Sequence, residues 1–175
     1  MKPDRGGKND QKIRVSGLSP GTHEYSFRVL PSDIPLNDNF DQPVEVTVRL
    51  EKSPRQIVLR SSIAASGSFS CDRCLAPFRQ AISCRYSVVY IDNEGEEEQF
   101  PPEEVRVVNR DVTVIDLAAD VREMVLISVP LKLICREECR GLCSSCGTDL
   151  NAAGCDCTTE NANRPWQGLE KLLKH

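Results

Sequence analysis

The 175-residue sequence has few aromatic residues, only two histidines and no excess of positive charge. One tryptophan, three tyrosines and five phenylalanines limit what can fill a core, and a net charge of −4 excludes a basic nucleic-acid coat protein. No segment approaches the roughly 18 consecutive apolar residues that a membrane-spanning helix needs. Residues 1–12 are polar and lack the apolar stretch of a secretion signal. We therefore expect a cytoplasmic protein with no membrane partner.

The motifs of common enzyme classes are also missing. The sequence contains no glycine-rich phosphate loop, no G-x-S-x-G motif and no spaced set of carboxylates and histidines. One alternative is a thiol oxidoreductase that uses Cys71 and Cys74, which are separated by two residues. Such enzymes usually place the attacking cysteine at the start of a helix, whereas Pro77 and a predicted strand follow here. We therefore expect a protein that is not an enzyme and has no small-molecule substrate.

Alternation of apolar and polar residues predicts strands in the first half of the chain. Val44, Val46, Val48 and Leu50 would lie on one face of a strand, with charged residues and Thr47 on the other. Strands at intervals of about 8–12 residues, separated by turn residues, indicate an antiparallel meander that forms a barrel-like or sandwich core. The predicted strands are near Ile13 and at 25–29, 44–50, 56–63, 67–71 and 82–91.

A helix is predicted over about residues 116–128, with Asp116 as its N-cap and Pro130 ending it. One face of this helix would carry Leu117, Val121, Met124, Val125 and Ser128. Together with the strands, it indicates an α+β fold. We expect a loose tail over 1–11, a β-rich core domain over 12–131, and a cysteine-rich lobe with a C-terminal helix over 132–175. Residues 92–104 carry seven acids and no bases, which predicts a solvated loop.

Nine cysteines in a chain without a secretion signal indicate metal binding more than disulfides. The strongest pattern is a pair with two intervening residues, then eight residues, then a pair with one intervening residue. Two thiolates from each limb of such a loop can complete a tetrahedron around Zn²⁺. Four thiolates leave no open position, so the site would be structural. The four predicted ligands are Cys143, Cys146, Cys155 and Cys157.

A second set of four cysteines has less decisive spacing. Cys71 and Cys74 form one pair, and Cys135 and Cys139 precede the first predicted site. These four could bind a second Zn²⁺ and would leave Cys84 over. Three alternatives stay open: an exchange that brings Cys135 or Cys139 into the first site, free thiols, and a packing role for Cys71 and Cys74 at the edge of the core. We expect one bound zinc ion, or two if the second set of cysteines also binds metal.

The run Cys71-Asp72-Arg73-Cys74-Leu75-Ala76-Pro77-Phe78 resembles the signature of the YceD family, the bacterial large-subunit (23S) ribosomal RNA accumulation proteins. The order that follows is similar as well: an acidic loop, Asp116-Leu117 opening a helix, Val129-Pro130-Leu131, and a cysteine lobe over 135–157. That lobe is similar to the metal-bearing branch of the family. The resemblance covers about residues 13–173.

The resemblance implies a role in the synthesis, processing or accumulation of 23S ribosomal RNA, without catalytic residues. The partner would be ribosomal RNA or a pre-50S particle, and contact with RNA requires exposed basic side chains. Each candidate could equally be an ordinary surface charge. An adaptor that binds a basic ribosomal protein through its acidic segment is the competing interpretation. The basic candidates are Arg49, Arg73, Arg79, Arg85, Lys132, Arg136 and Arg140.

Overall fold

The computed structural model describes residues 11–91, 105–107 and 113–157. The predicted acidic loop, the C-terminal helix and all of the N-terminal tail except Gln11 lie outside these residues. The chain divides into two compact units. The first consists of Met1–Ser68 and Arg79–Pro130, and the second of Phe69–Phe78 and Leu131–His175.

The described strands form one five-stranded sheet and one two-stranded sheet, in the orders β2-β3-β4-β5-β6 and β1-β7. β2 pairs antiparallel with β3, β3 with β4, and β1 with β7, whereas β6 runs parallel to β5. The α+β class and the mainly antiparallel arrangement are confirmed, but the described strands do not close into a barrel. The strands are β1 Lys12–Arg14, β2 Gly21–Val29, β3 Val44–Lys52, β4 Gln56–Ser70, β5 Pro77–Ile91, β6 Val105–Val107 and β7 Val114–Asp116.

The alternation predicted for β3 is present in the structure. Its apolar residues, Val44 to Leu50, are at most 2% exposed, and Glu45, Thr47 and Arg49 between them are exposed. The two strands predicted at 56–63 and 67–71 are in fact one strand, β4. Buried Gly67 continues the inward-facing row without interrupting the pairing, because the same alternation runs on to Phe69.

The helix α1 spans Ala118–Ile127, and among the described residues no helix is long and apolar enough to cross a membrane. The prediction of Asp116 as N-cap is wrong, because Leu117 occupies that position and no side chain caps the helix. Asp116 lies one residue earlier, where its carboxylate accepts a hydrogen bond from the Ala118 N–H at 2.9 Å. On the predicted face of the helix, Leu117, Val121 and Val125 are buried, and Met124 and Ser128 are half-buried. Asp120 is buried as well, because its carboxylate accepts two hydrogen bonds from Arg106 of β6.

The second unit differs from the predicted cysteine lobe in one respect. It includes Phe69–Phe78, which the sequence alone assigned to the β-rich core. The reason is packing, because Cys71 and Cys74 form a buried cluster with Cys139. Partly buried side chains surround this cluster: Ala76, Phe78, Ile134, Cys135 and Leu142.

Candidate metal centres

Four cysteines from two distant segments meet in the second unit. Cys71 and Cys74 lie in the connection between β4 and β5, and Cys135 and Cys139 lie more than 60 residues further along the chain. Their four sulfur atoms are all within 4.8 Å of one another. We call this set cluster A. Cys71, Cys74 and Cys139 are buried, and Cys135 is half-buried.

The sulfur positions in cluster A fit a tetrahedral metal ion. The Cys71 and Cys139 sulfurs are 3.8 Å apart, and so are the Cys74 and Cys135 sulfurs. Four thiolates about 2.3 Å from one Zn²⁺ lie about 3.8 Å from each other, which follows from tetrahedral geometry. Cluster A could therefore hold a metal ion.

The other four cysteines form a second group, cluster B, which consists of Cys143, Cys146, Cys155 and Cys157. Their sulfur atoms also lie within 4.8 Å of one another. Cluster B is more accessible than cluster A, since Cys146 and Cys157 are exposed and the other two are half-buried. The ninth cysteine, Cys84, belongs to neither group and lies in β5.

The first two cysteines of each cluster have the same backbone turn. In cluster A, the Leu75 N–H donates to the Cys71 carbonyl, and the Cys71 N–H donates to the Ala76 carbonyl, both at 2.9 Å. In cluster B, the Gly147 N–H donates to the Cys143 carbonyl at 2.9 Å, and the Cys143 N–H donates to the Thr148 carbonyl at 2.8 Å. The two turns are equivalent position by position.

Leu75 and Gly147 occupy the same place in these turns, and both have a positive φ, of 60° and 74°. The αL conformation favours glycine, and a leucine adopts it at a cost of about 1–2 kcal/mol. Glycine is the residue expected at such a position, as in Gly147, whereas leucine is not. Both residues directly follow the second cysteine of a pair, and this shared position is the feature of the sequence that points to a turn at Leu75.

The segments that carry cluster A are held together by Arg73. Its guanidinium Nη1 donates hydrogen bonds to the carbonyl oxygens of Cys139, at 2.8 Å, and Glu137, at 3.4 Å. Its own carbonyl accepts from the Leu142 N–H at 3.0 Å. Asp72 adds a link, because its carboxylate accepts from the Leu133 N–H at 2.6 Å. Asp72 and Arg73 thus each bind backbone groups of the later segment.

Asn151 connects the two clusters. It lies between Cys146 and Cys155 of cluster B, and its amide donates to the Cys139 sulfur of cluster A at 3.6 Å. Its side-chain oxygen accepts from the Arg140 N–H at 2.9 Å. A hydrogen bond from outside the ligand set orients a metal-binding sulfur and reduces its charge. The sequence alone does not indicate this role, because asparagine is also a common turn residue.

Backbone and hydroxyl donors lower the pKa of some cysteines in both clusters and so favour their thiolate forms. The N–H of Cys135 is the main cause that lowers the pKa of Cys71 to about 6. The hydroxyl of Thr148, 3.1 Å from the Cys146 sulfur, is the main cause that lowers the pKa of Cys146 to about 6. Burial raises the pKa of Cys135 to about 12. A bound cation would compensate for charge on the remaining sulfurs, since metal binding displaces thiol protons.

The basic residues proposed from the sequence fall into two groups. Arg79 and Arg49 are ion-paired with Asp41 and Glu51, at 2.8 Å and 3.3 Å, and Arg73 binds carbonyl groups. The other four are exposed and form no salt bridge or side-chain hydrogen bond within the described part of the chain. They are Arg85, Lys132, Arg136 and Arg140.

We expect Arg73→Ala to weaken metal retention in cluster A. It should also lower the free energy of unfolding of the second unit by about 1–2 kcal/mol, because two carbonyl groups lose a charged hydrogen-bond donor. Arg73→Lys should recover only part of the loss, since an ammonium lacks the guanidinium fork. The measurement is the rate at which a chelator removes metal from the full chain. Arg85→Ala, at an exposed arginine without such contacts, is the control. Unchanged metal retention in Arg73→Ala would contradict this role.

These features define a class: an α+β protein with an open, mainly antiparallel sheet and two four-cysteine clusters that could each hold a metal ion. The model of the family "Large ribosomal RNA subunit accumulation protein YceD" matches residues 59–173, and the chain belongs to this family. The matched region contains all eight cysteines of the two clusters.

Curated relatives from plants and mycobacteria are similar to the chain. The "Large ribosomal RNA subunit accumulation protein YCED homolog 1, chloroplastic" of Arabidopsis thaliana is 23% identical over 74% of this chain and 48% of its own length. The Zea mays protein of the same description is 24% identical over 74% and 52%. An uncharacterized protein of Mycobacterium tuberculosis is 28% identical over 61% and 51%. The chain thus spans about half the length of these relatives. No solved structure matches it significantly.

Proposed function

We propose that this chain is a non-enzymatic ribosome-biogenesis factor that supports accumulation of 23S ribosomal RNA by binding the RNA or a precursor of the large subunit. The observation that carries the proposal is the family match over residues 59–173. The two plant relatives are named for accumulation of large-subunit ribosomal RNA. The proposal concerns the matched region, which includes β4 to β7, α1 and both cysteine clusters.

Each cluster would bind one Zn²⁺ through four cysteine sulfurs. Zn²⁺ with four thiolate ligands has no open coordination position for water or substrate, so its role would be to cross-link the second unit. The same arrangement argues against a thiol oxidoreductase. Cys71 and Cys74 are 0% and 8% exposed and lie among two further sulfurs, whereas a reactive thiol must be accessible.

The RNA-binding surface would include Lys132, Arg136 and Arg140, three exposed cations of the second unit. They flank cluster A in the sequence, and their side chains are not used in ion pairs with described residues. Two zinc–tetrathiolate centres would each carry a charge of about −2, from four thiolates and one divalent ion. Exposed cations in the same unit would offset this charge and allow contact with phosphate groups.

The replacement of Lys132, Arg136 and Arg140 by alanine should weaken binding to 23S ribosomal RNA and make the remaining binding less sensitive to salt. Each lost phosphate contact should reduce the slope of log K against log salt concentration by about 0.7–0.9. The measurement is a salt titration of RNA affinity, with cosedimentation of the full chain and pre-50S particles as a second readout.

The matched control replaces three arginines that already form ion pairs with acidic side chains, so that the change in net charge is the same. These are Arg49, Arg60 and Arg79, paired with Glu51, Glu51 and Asp41. We expect the control to retain its salt slope. Equal losses in both triple variants would contradict the assignment of this surface. Cosedimentation without measurable RNA affinity would instead support an adaptor that contacts a ribosomal protein.

A further inference from the structure

The strand β2 forms an edge of the five-stranded sheet. It is nine residues long and pairs with β3 on one side, and no other described strand pairs with it. Alternate residues of an edge strand direct backbone N–H and C=O groups away from the sheet, which makes a long edge available to another strand. β2 contains no proline and no lysine, two residues that commonly block such pairing.

The sequence of β2 is complementary to itself in the antiparallel direction. Around Ser26, the order is Glu24-Tyr25-Ser26-Phe27-Arg28. If Ser26 lies opposite Ser26 of a second copy, then each Glu24 lies opposite an Arg28, and each Tyr25 opposite a Phe27. Residues directly opposite each other in antiparallel strands share one face of the sheet. Glu24 and Arg28 are both on the exposed face, so their side chains could meet across the interface.

The neighbouring strand extends this charge pattern. In the existing register, Glu24 is opposite Arg49 of β3, and Arg28 is opposite Glu45. Pairing of two copies would therefore produce cross-strand rows in which the charges alternate: Arg49, Glu24, then Arg28 and Glu45 of the second copy. Arg28 already contacts Glu45 at 3.2 Å. Glu24 forms no salt bridge with any described residue, so it is available to an arginine from outside.

We propose that two copies of this chain associate through β2, antiparallel and centred on Ser26, to form a continuous ten-stranded sheet across a twofold axis. The interface is isologous, because each copy contributes the same strand in the same register. Backbone hydrogen bonds between the two β2 strands hold the copies together, and the two Glu24–Arg28 pairs favour this register over shifted registers. This interface does not depend on the proposed function, since it uses neither the cysteine clusters nor the exposed cations of the second unit.

The first test is the mass of the full chain by sedimentation equilibrium over a range of concentrations. The expected result is a monomer–dimer equilibrium between 19.5 kDa and twice that mass. A chain that remains monomeric up to submillimolar concentration would overturn the proposal. In that case, the partner of this edge would be an extended segment of a different protein.

The second test reverses the charges one at a time. Glu24→Arg places arginine opposite arginine in both pairs of the homodimer, and Arg28→Glu places glutamate opposite glutamate. Each variant alone should dimerise roughly 10- to 100-fold more weakly than the parent chain. A mixture of the two variants restores both opposite-charge pairs, so the mixture should form heterodimers with an affinity near that of the parent. Because recovery on mixing requires folded chains, it separates loss of pairing from misfolding.

The controls make the same charge changes away from β2. Glu123→Arg alters an exposed residue of α1, and Arg55→Glu alters an exposed residue between β3 and β4. Both controls should dimerise like the parent chain. Dimers that persist unchanged in Glu24→Arg and Arg28→Glu, or a mixture that fails to recover affinity, would overturn the assignment to β2.

Discussion

Replacement of Cys71 by serine in the full chain will lower the bound zinc from two equivalents to one and unfold the region around cluster A. Cys71 is 0% exposed and lies 3.8 Å from the Cys139 sulfur, so no water or other side chain can take its place without rearrangement. Structural zinc contributes roughly 10–16 kcal/mol to the folding of small zinc domains. The region around cluster A should therefore lose most of its stability, whereas cluster B should retain its zinc. The measurements are metal analysis after purification in reductant, and circular dichroism.

Cys84→Ser is the matched control, because Cys84 is the one cysteine outside both clusters. It should retain two equivalents of zinc and the parent stability. Cys146→Ser, at an exposed ligand of cluster B, should also lose one equivalent but leave cluster A folded. Two retained equivalents in Cys71→Ser would show that cluster A is not a zinc site. Protein that is fully folded without zinc would contradict the assignment of both clusters as structural zinc sites.

We expect Gly141→Ala to destabilise the second unit by about 2–4 kcal/mol, from backbone conformation and steric overlap together. Gly141 has a φ of +75°, which an alanine adopts only with strain. In addition, a Cβ atom at this position would lie 3.0 Å from the carbonyl oxygen of Arg73. That oxygen is held by the Leu142 N–H at 3.0 Å, so it cannot move away freely. The measurement is chemical denaturation of the zinc-loaded chain.

Gly147→Ala separates the two contributions. Gly147 has nearly the same φ, +74°, but no atom lies within 4 Å of the added Cβ. Its substitution should therefore cost only the conformational term, about 1–2 kcal/mol. If both variants lose the same stability, the close approach of Gly141 to Arg73 is not what requires glycine.

Much of the fold followed from local patterns in the sequence. The alternation from Val44 to Leu50 predicted a half-buried strand, and the spacing of Leu117, Val121 and Val125 predicted the buried face of α1. These predictions succeed because a strand or helix that packs on one side must place its apolar residues at the period of its backbone. The pattern divides β4 wrongly into two strands, because an inward-facing glycine in mid-strand also resembles a turn residue.

The candidate site was only partly predictable. The spacing of Cys143 and Cys146 from Cys155 and Cys157 proposes a metal site by itself, because the loop is short enough to close around one ion. The partners of Cys71 and Cys74 are more than 60 residues away in the chain, so their grouping with Cys135 and Cys139 depends on how the second unit folds. The sequence left that grouping open among several alternatives.

By itself, then, the sequence determined the α+β class, the main strands, the helix and the four cysteines that are grouped in cluster B, because each depends on residues that are near one another in the chain. The tertiary structure decided which basic side chains bind other groups of the same chain. Arg73, Arg79 and Arg49 looked like the other exposed cations, but each is engaged with a carbonyl or carboxylate group. It also decided that β2 lies at an edge. Except for the Arg49–Glu51 pair within β3, these contacts join segments that are distant in the chain, which local residue patterns do not encode.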